Sequence, residues 1–119
     1  MGYEPRPLRA VCRHVIDGDT IDAFVDEGLY DYAYITIRVK DFDAPETRTS
    51  NLKEKTHGLD AKIFAVDLLL GKPIRMLTYK DTETFGRFVA DVWYYGTDGA
   101  MISFADTMRA AGFEKRDTY

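Results

Sequence analysis

Cysteine is almost missing from this chain. Cys12 stands alone among 119 residues, which excludes an intramolecular disulfide and any zinc cluster built on thiolates. A lone thiol suits a reducing compartment. Long apolar runs are missing as well: the longest, Ile63 to Leu70, is broken by Asp67 and is far too short to span a bilayer. Met1 to Ala10 holds two prolines and two arginines and no apolar segment, unlike a secretory signal. The expected location is therefore the cytosol, unless a leader has been removed, and no membrane is expected as a partner. Positive charge is also in short supply, with 16 Lys and Arg against 20 Asp and Glu, a net charge of −4. Proteins that hold nucleic acid by its phosphates are ordinarily basic. Any phosphate-binding surface here has to be local, and a bound divalent cation would offset part of the deficit.

What is present is enough for a folded domain. Apolar residues make up 45% and aromatics 13%, which excludes a disordered or fibrous chain. The length fits one domain, expected over 9–119 behind a polar N-terminal arm, 1–8. Leu8 to Ile16 reads as a first strand, with Ala10, Cys12, His14 and Ile16 on one face. Asp17-Gly18 reads as a turn in which glycine supplies a positive φ. Thr20 to Val25 is a second strand and Asp26-Glu27-Gly28 a hairpin loop. Tyr30 to Lys40 is a third strand, with Ile35, Ile37 and Val39 on its apolar face and Thr36, Arg38 and Lys40 on the other. Asp41 to His57 is polar, contains Pro45 and has no period, so it reads as a long loop, the kind of segment that carries function.

Gly58 to Leu70 reads as a helix, with Leu59, Ile63, Val66 and Leu70 as its apolar stripe. Pro73 to Tyr79 and Arg87 to Tyr95 are further strands, joined by Lys80 to Gly86. Asp98-Gly99 turns the chain, and Ser103-x-x-Asp106 caps a last helix running to about Ala111. The order is three strands, a helix, two strands and a helix. The expected fold is a mainly β, α+β domain: a five-stranded OB-fold barrel with a helix between strands three and four and a C-terminal helix.

Chemistry concentrates in two short stretches, Val15 to Thr20 and Arg38 to Glu46. Asp17 and Asp19 are two apart, and Asp41, Asp43 and Glu46 follow the third strand. If strands one to three are neighbours, these acids converge at one end of the sheet. Clustered carboxylates repel unless a cation or a proton neutralises them, and oxygen ligands without His or Cys favour Ca²⁺ or Mg²⁺ over zinc. Against this stands a simpler reading, in which Asp-Gly is a turn and the other acids are solvated. An EF-hand beginning at Asp17 is excluded, since it needs Gly and Glu where this chain has Asp22 and Gly28. An Asp-x-Asp phosphatase fails because the strands look hairpin-connected rather than parallel. Arg38 lies on the face away from the apolar residues, and Arg87 follows Gly86. A guanidinium fork matches phosphate oxygens, although a surface ion pair is the commoner fate of an arginine.

Together these pieces resemble the staphylococcal nuclease-like family from about Ala10 to Gly112. They are Ile16-Asp17-Gly18-Asp19-Thr20, then Arg38-x4-Asp43-Ala44-Pro45-Glu46, then Phe85-Gly86-Arg87. The resemblance implies a calcium-dependent endonuclease that hydrolyses DNA, with RNA and frayed duplex as further substrates, prefers single strands and leaves 3′-phosphate ends. It implies one Ca²⁺ on Asp19, Asp43 and the carbonyl of Ala44, with Glu46 as general base and Arg38 and Arg87 on the phosphate. It also implies that Asp17 and Thr20 orient the site. Phe85 departs from the family, which usually places tyrosine there against the substrate, and Thr84 stands where the family has lysine. Tyr119 falls close to a base-stacking tyrosine of the family.

A monomer is expected. The rival readings are a non-catalytic OB-fold module that binds nucleic acid or protein, and a calcium-regulated partner-binding protein. His14 and His57 read as structural. Tyr30, Tyr32, Tyr34, Tyr94 and Tyr95 read first as sheet packing, with base stacking as the alternative.

Overall fold

The computed structural model describes residues 7–80 and 87–119, with Lys80 and Arg87 described by their backbone. Eight elements follow in order: β1 Leu8–Asp17, β2 Thr20–Gly28, β3 Asp31–Val39, α1 Leu52–Leu69, β4 Pro73–Lys80, β5 Arg87–Tyr95, β6 Met101–Ser103 and α2 Phe104–Ala110. The sheet order is β3-β2-β1-β4-β5-β6, and β3 also pairs with β5. That last pairing closes the five longer strands into a barrel. It is parallel, running from Thr36 opposite Arg87 to Val39 opposite Ala90, whereas every other pairing of named strands is antiparallel. The architecture is the expected OB-fold, mostly strand with two helices. β6 is an addition: beyond the Asp98-Gly99 turn the chain pairs back on β5, with Tyr95 opposite Met101.

Alternation of small and branched apolar residues fills the barrel. Ala10, Cys12 and Val15 of β1, Ile21, Ala23 and Val25 of β2, and Ile37 and Val39 of β3 are buried, and Ile74, Met76, Ala90 and Val92 meet them from β4 and β5. The simple alternation expected for β1 fails midway. The register shifts between Cys12 and His14, as at a bulge, which turns the inward phase over. Val15 then points inward and His14 is exposed.

The β2–β3 connection is also tighter than the loop expected at 26–28. β2 runs on to Gly28, which pairs with Asp31, and the two-residue turn is Leu29-Tyr30, with φ of 52° and 62°. Both signs are those of a type I′ hairpin turn.

α1 begins six residues before the expected Gly58, because Asn51 caps it. The Asn51 side chain accepts from the backbone N–H groups of Lys53 and Glu54, and Glu54 adds negative charge to the first turn. The expected apolar stripe is likewise not the buried one. Leu59, Ile63 and Leu70 are exposed, and the inward face is Gly58, Ala61, Ala65 and Leu69. Small residues let the helix axis approach the barrel closely. α2 is capped as expected, with Ser103 Oγ accepting from the Asp106 N–H at 3.2 Å. Its Phe104 and Met108 are fully buried. Among the described residues no helix is long and apolar enough to cross a membrane.

Candidate active site

The β1–β2 turn is the pivot of the site. Asp17 pairs with Thr20, leaving Gly18 and Asp19 between them. Gly18 is needed for space rather than for a positive φ. A Cβ there would stand 2.9 Å from Ala44 Cβ and 3.1 Å from Ala61 Cβ, so the turn nestles against both the following loop and α1. Asp19 is 8% exposed, the one buried charged residue of the described core. Its burial is compensated, as an ionised carboxylate requires. Oδ2 accepts from the Ala44 N–H at 3.0 Å, and Oδ1 accepts from Thr20 Oγ1 at 3.0 Å. Its own carbonyl accepts from the Val39 N–H at 2.8 Å, which ties the turn to the end of β3.

Arg38 projects from β3 into the same space. Its Nη2 bonds Asp43 Oδ1 and lies 3.8 Å from Asp19 Oδ2. Of the acids expected to converge, Asp17, Asp19, Asp43 and Glu46 line one cleft with Arg38, whereas Asp41 does not and pairs with Lys40 instead. Asp17 holds the loop further along, accepting from Thr47 Oγ1 at 2.6 Å. Ile16, Asp17, Asp19, Thr20, Thr36, Arg38 and the segment Asp43 to Arg48 line one cleft of about 460 Å³, with Lys115 entering from the C-terminal segment.

Glu46 reaches this cleft on a loop that other elements hold down. Its backbone N–H donates to Glu54 Oε2 at 3.1 Å. Gly58 of α1 lies directly beneath, where a Cβ would sit 2.6 Å from the Glu46 carbonyl oxygen and 2.8 Å from that of Pro45. Lys115 bridges the acids, with Nζ 3.6 Å from Glu46 Oε1 and 3.5 Å from Glu54 Oε2, while its N–H donates to the Asp43 carbonyl at 2.8 Å. Partial burial works to lower the Lys115 pKa, but the two carboxylates outweigh it and hold the ammonium above its ordinary range.

Some expected residues are placed differently or fall elsewhere. Ala44 meets Asp19 through its N–H. Arg87 opens β5 with its backbone opposite Thr36, next along the barrel wall from the cleft. Phe85, Thr84 and Gly86, like 1–6, lie outside the described residues. His14 stands 3.6 Å from Asp22 and away from the cleft. His57 bonds Tyr119 Oη at 2.7 Å and the Gly112 carbonyl at 2.8 Å, which fastens the C-terminal segment to α1. Tyr119 is thus engaged with the protein itself. The packing expected for the tyrosines is found in part: Tyr94 packs against the core and Tyr32 stacks across the sheet on Phe24, whereas Tyr30, Tyr34 and Tyr95 are exposed.

Sequence reasoning missed Glu54, Thr47, Gly58 and Lys115. Only Glu54 left a signal, as an acid three residues beyond a capping asparagine. The other three depend on contacts between distant segments.

The donors gathered here are oxygens, from Asp19 and Asp43, beside a guanidinium. Such a set suits a hard cation or a phosphate. Among the described residues no group of three or more acids, His or Cys is arranged to hold a metal. Over 86 residues the chain is 33% identical to Protein ParB of Escherichia coli, an alignment that covers 72% of this chain and 42% of that protein. The chain thus spans less than half the length of this relative. The family description "Staphylococcal nuclease homologue" matches residues 36–114, well over half of the chain, from within β3 to the residue before Lys115. The chain belongs to the staphylococcal nuclease family.

Proposed function

We propose that this protein is a calcium-dependent phosphodiesterase that cleaves single-stranded DNA, and RNA with it, to leave 3′-phosphate ends. The observation that carries this reading is the meeting of Asp19, Asp43, Arg38 and Glu46 in one cleft. Arg38 and Asp43 are both substantially solvent-exposed, at 41% and 67% of their side chains. An exposed pair of this kind contributes only about 0–1 kcal/mol. A phosphodiester can therefore take Arg38 from Asp43 at little cost, which leaves Asp43 free for a cation.

In the reaction a water attacks phosphorus and the bond to the 5′ oxygen breaks, with that oxygen taking up a proton as it leaves. Arg38 holds the non-bridging oxygens, where negative charge grows in the transition state, and stabilises that state more than the ground state. Glu46 accepts the proton of the attacking water, and the Glu54 and Gly58 contacts set its position. Arg87, on the strand alongside Thr36, is assigned the second phosphate contact. Asp19 and Asp43, with the Ala44 carbonyl, would hold the calcium ion, which would supply Lewis-acid stabilisation of the same oxygens. With few protein donors its affinity is expected to be low until water and a phosphate complete the set.

A second reading, a nucleic-acid-binding module without hydrolysis, finds support in Lys115. That ammonium engages Glu46, the residue meant to accept a proton. The two readings separate in one experiment, cleavage of a fluorophore–quencher single-stranded DNA in calcium and then in chelator. Calcium-dependent cleavage that falls about 10²- to 10³-fold in Arg38→Ala is expected. Binding without cleavage in millimolar calcium would transfer the assignment to the binding module.

A further inference from the structure

The outer face of the β2–β3 hairpin carries a row of aromatic rings that the barrel does not use. Outward positions on β3 run Arg38, Thr36, Tyr34, Tyr32, and those on β2 run Thr20, Asp22, Phe24, Asp26, paired across as Thr20–Arg38, Asp22–Thr36, Phe24–Tyr34 and Asp26–Tyr32. Phe24 and Tyr32 stack diagonally, with ring centroids 5.2 Å apart and planes 7° from parallel. Phe24, Tyr32 and Tyr34 are 43%, 50% and 60% exposed. At the tip, Leu29 and Tyr30 are almost wholly exposed and both adopt the left-handed φ that Asn and Gly accept far more readily.

This row is continuous with the cleft. Arg38 and Thr36 line the cleft, and the next outward side chain on the same strand is Tyr34. Outward residues on a strand recur about every 6.7 Å, close to the separation of successive nucleotides in an extended single strand. Charge indicates which part of the strand this face meets. The acids beside the rings are already engaged: Asp22 accepts from Thr36 Oγ1 at 2.6 Å and lies 3.6 Å from His14, and Asp26 accepts from the Gly28 N–H at 2.8 Å. Carboxylates repel phosphates, so what this face offers a strand is its rings, on which bases of any sequence stack.

Resting on the nucleic-acid reading above, we infer that Phe24, Tyr34 and Tyr32 form a base-stacking platform that receives the substrate strand beyond the phosphate held at Arg38. The platform makes affinity depend on strand length. It does so without adding ionic contacts, so an acidic protein can hold a polyanion.

The test measures affinity by competition, in chelator, for a thymidine dinucleotide and an octanucleotide, at two salt concentrations. A dinucleotide placed at Arg38 does not reach Tyr34. Tyr34→Thr and Phe24→Thr keep strand-forming residues at exposed positions, and thermal melting checks that they fold. Each is expected to weaken octanucleotide binding about tenfold, leave the dinucleotide unchanged and leave the salt dependence of octanucleotide binding unaltered. Tyr34→Trp is expected to restore wild-type affinity.

An octanucleotide that binds Tyr34→Thr as tightly as wild type would overturn the platform and point to a protein partner for this face. So would a wild-type protein that binds the octanucleotide no more tightly than the dinucleotide. Length-dependent, Tyr34-dependent binding in a protein that never cleaves would sink the hydrolytic reading and still support the platform.

Discussion

On one side of the cleft Arg38, Thr36 and Thr20 stand on paired strands, whereas on the other Glu46, Thr47 and Arg48 stand on a loop. The strand wall is held by continuous ladders, and its one buried acid, Asp19, is bonded on both oxygens. The loop wall has no ladder. It is held by single contacts from elements distant in sequence: Asp17 to Thr47, Glu54 to the Glu46 N–H, Gly58 beneath the Pro45–Glu46 carbonyls, and Lys115 across the top. On the proposed reading, the group that grips charge is thus fixed by the sheet, and the group that meets the attacking water sits on a segment adjusted by a few side chains. Positioning of a reacting group depends on small displacements, so the two walls should fail in different ways.

The sharpest separation comes from Glu46→Gln. It should lower turnover by about 10²- to 10⁴-fold and leave binding of single-stranded DNA unchanged, whereas Arg38→Ala loses both. Stopped-flow cleavage beside a binding titration measures the split, and equal losses of affinity in the two variants would erase the distinction between the walls.

Next in size is Gly58→Ala. In an exposed helix interior that change gains about 0.8–1 kcal/mol. Here the new methyl would meet a carbonyl oxygen at 2.6 Å, and overpacking of that kind costs about 1–3 kcal/mol. The expected result is a lower melting temperature together with reduced turnover, as the Glu46 backbone is pushed away. A variant more stable than wild type would show that α1 does not set the loop.

The last prediction is a pH dependence centred on β1. Cys12 on β1 is buried, and burial pushes its thiol from 9.0 up to about 11, with a backbone hydrogen bond at His14 and the charge of Asp22 as smaller, opposing influences. The folded state keeps this proton while the unfolded chain releases it. The stability linked to Cys12 is therefore complete below pH 9 and is lost as pH climbs toward 11, on the order of 2–3 kcal/mol in all. Urea unfolding across that range should fall more steeply for wild type than for Cys12→Val. A native thiol that reacts readily with a disulfide reagent at pH 8 would contradict its burial.

The strand wall was largely legible in the sequence and the loop wall was not. Ile35, Ile37 and Val39 alternate with Thr36 and Arg38, and a period of two needs no distant information to place Arg38 outward. Asp17-Gly18-Asp19-Thr20 is likewise a local signal. The face of α1 was misread because hydropathy sends the large residues inward. Close approach of a helix to a barrel instead selects Gly58, Ala61 and Ala65, and leaves Leu59 and Ile63 outside. Asn51 was passed over because the first turn it caps, Leu52 to Lys55, has no apolar period. At β1 the register shift after Cys12 exchanged His14 for Val15. Lys115 carries no sequence signal at all, since its partners Glu46 and Glu54 lie far up the chain.

The parallel β3–β5 pairing has a consequence for how this molecule comes into being. It is the contact that closes the barrel, and it joins two strands that have all of α1 and β4 between them in the chain. Hairpins such as β1–β2 and β2–β3 can form from neighbours, but a pairing of this span carries a larger loop-closure entropy and slows folding. Arg38 and Arg87 are brought to one wall only by that closure. A chain emerging from synthesis would therefore hold the turn, the acids and Arg38 before β5 had closed the barrel. The wall that carries both arginines would be completed by the last long-range event on the path.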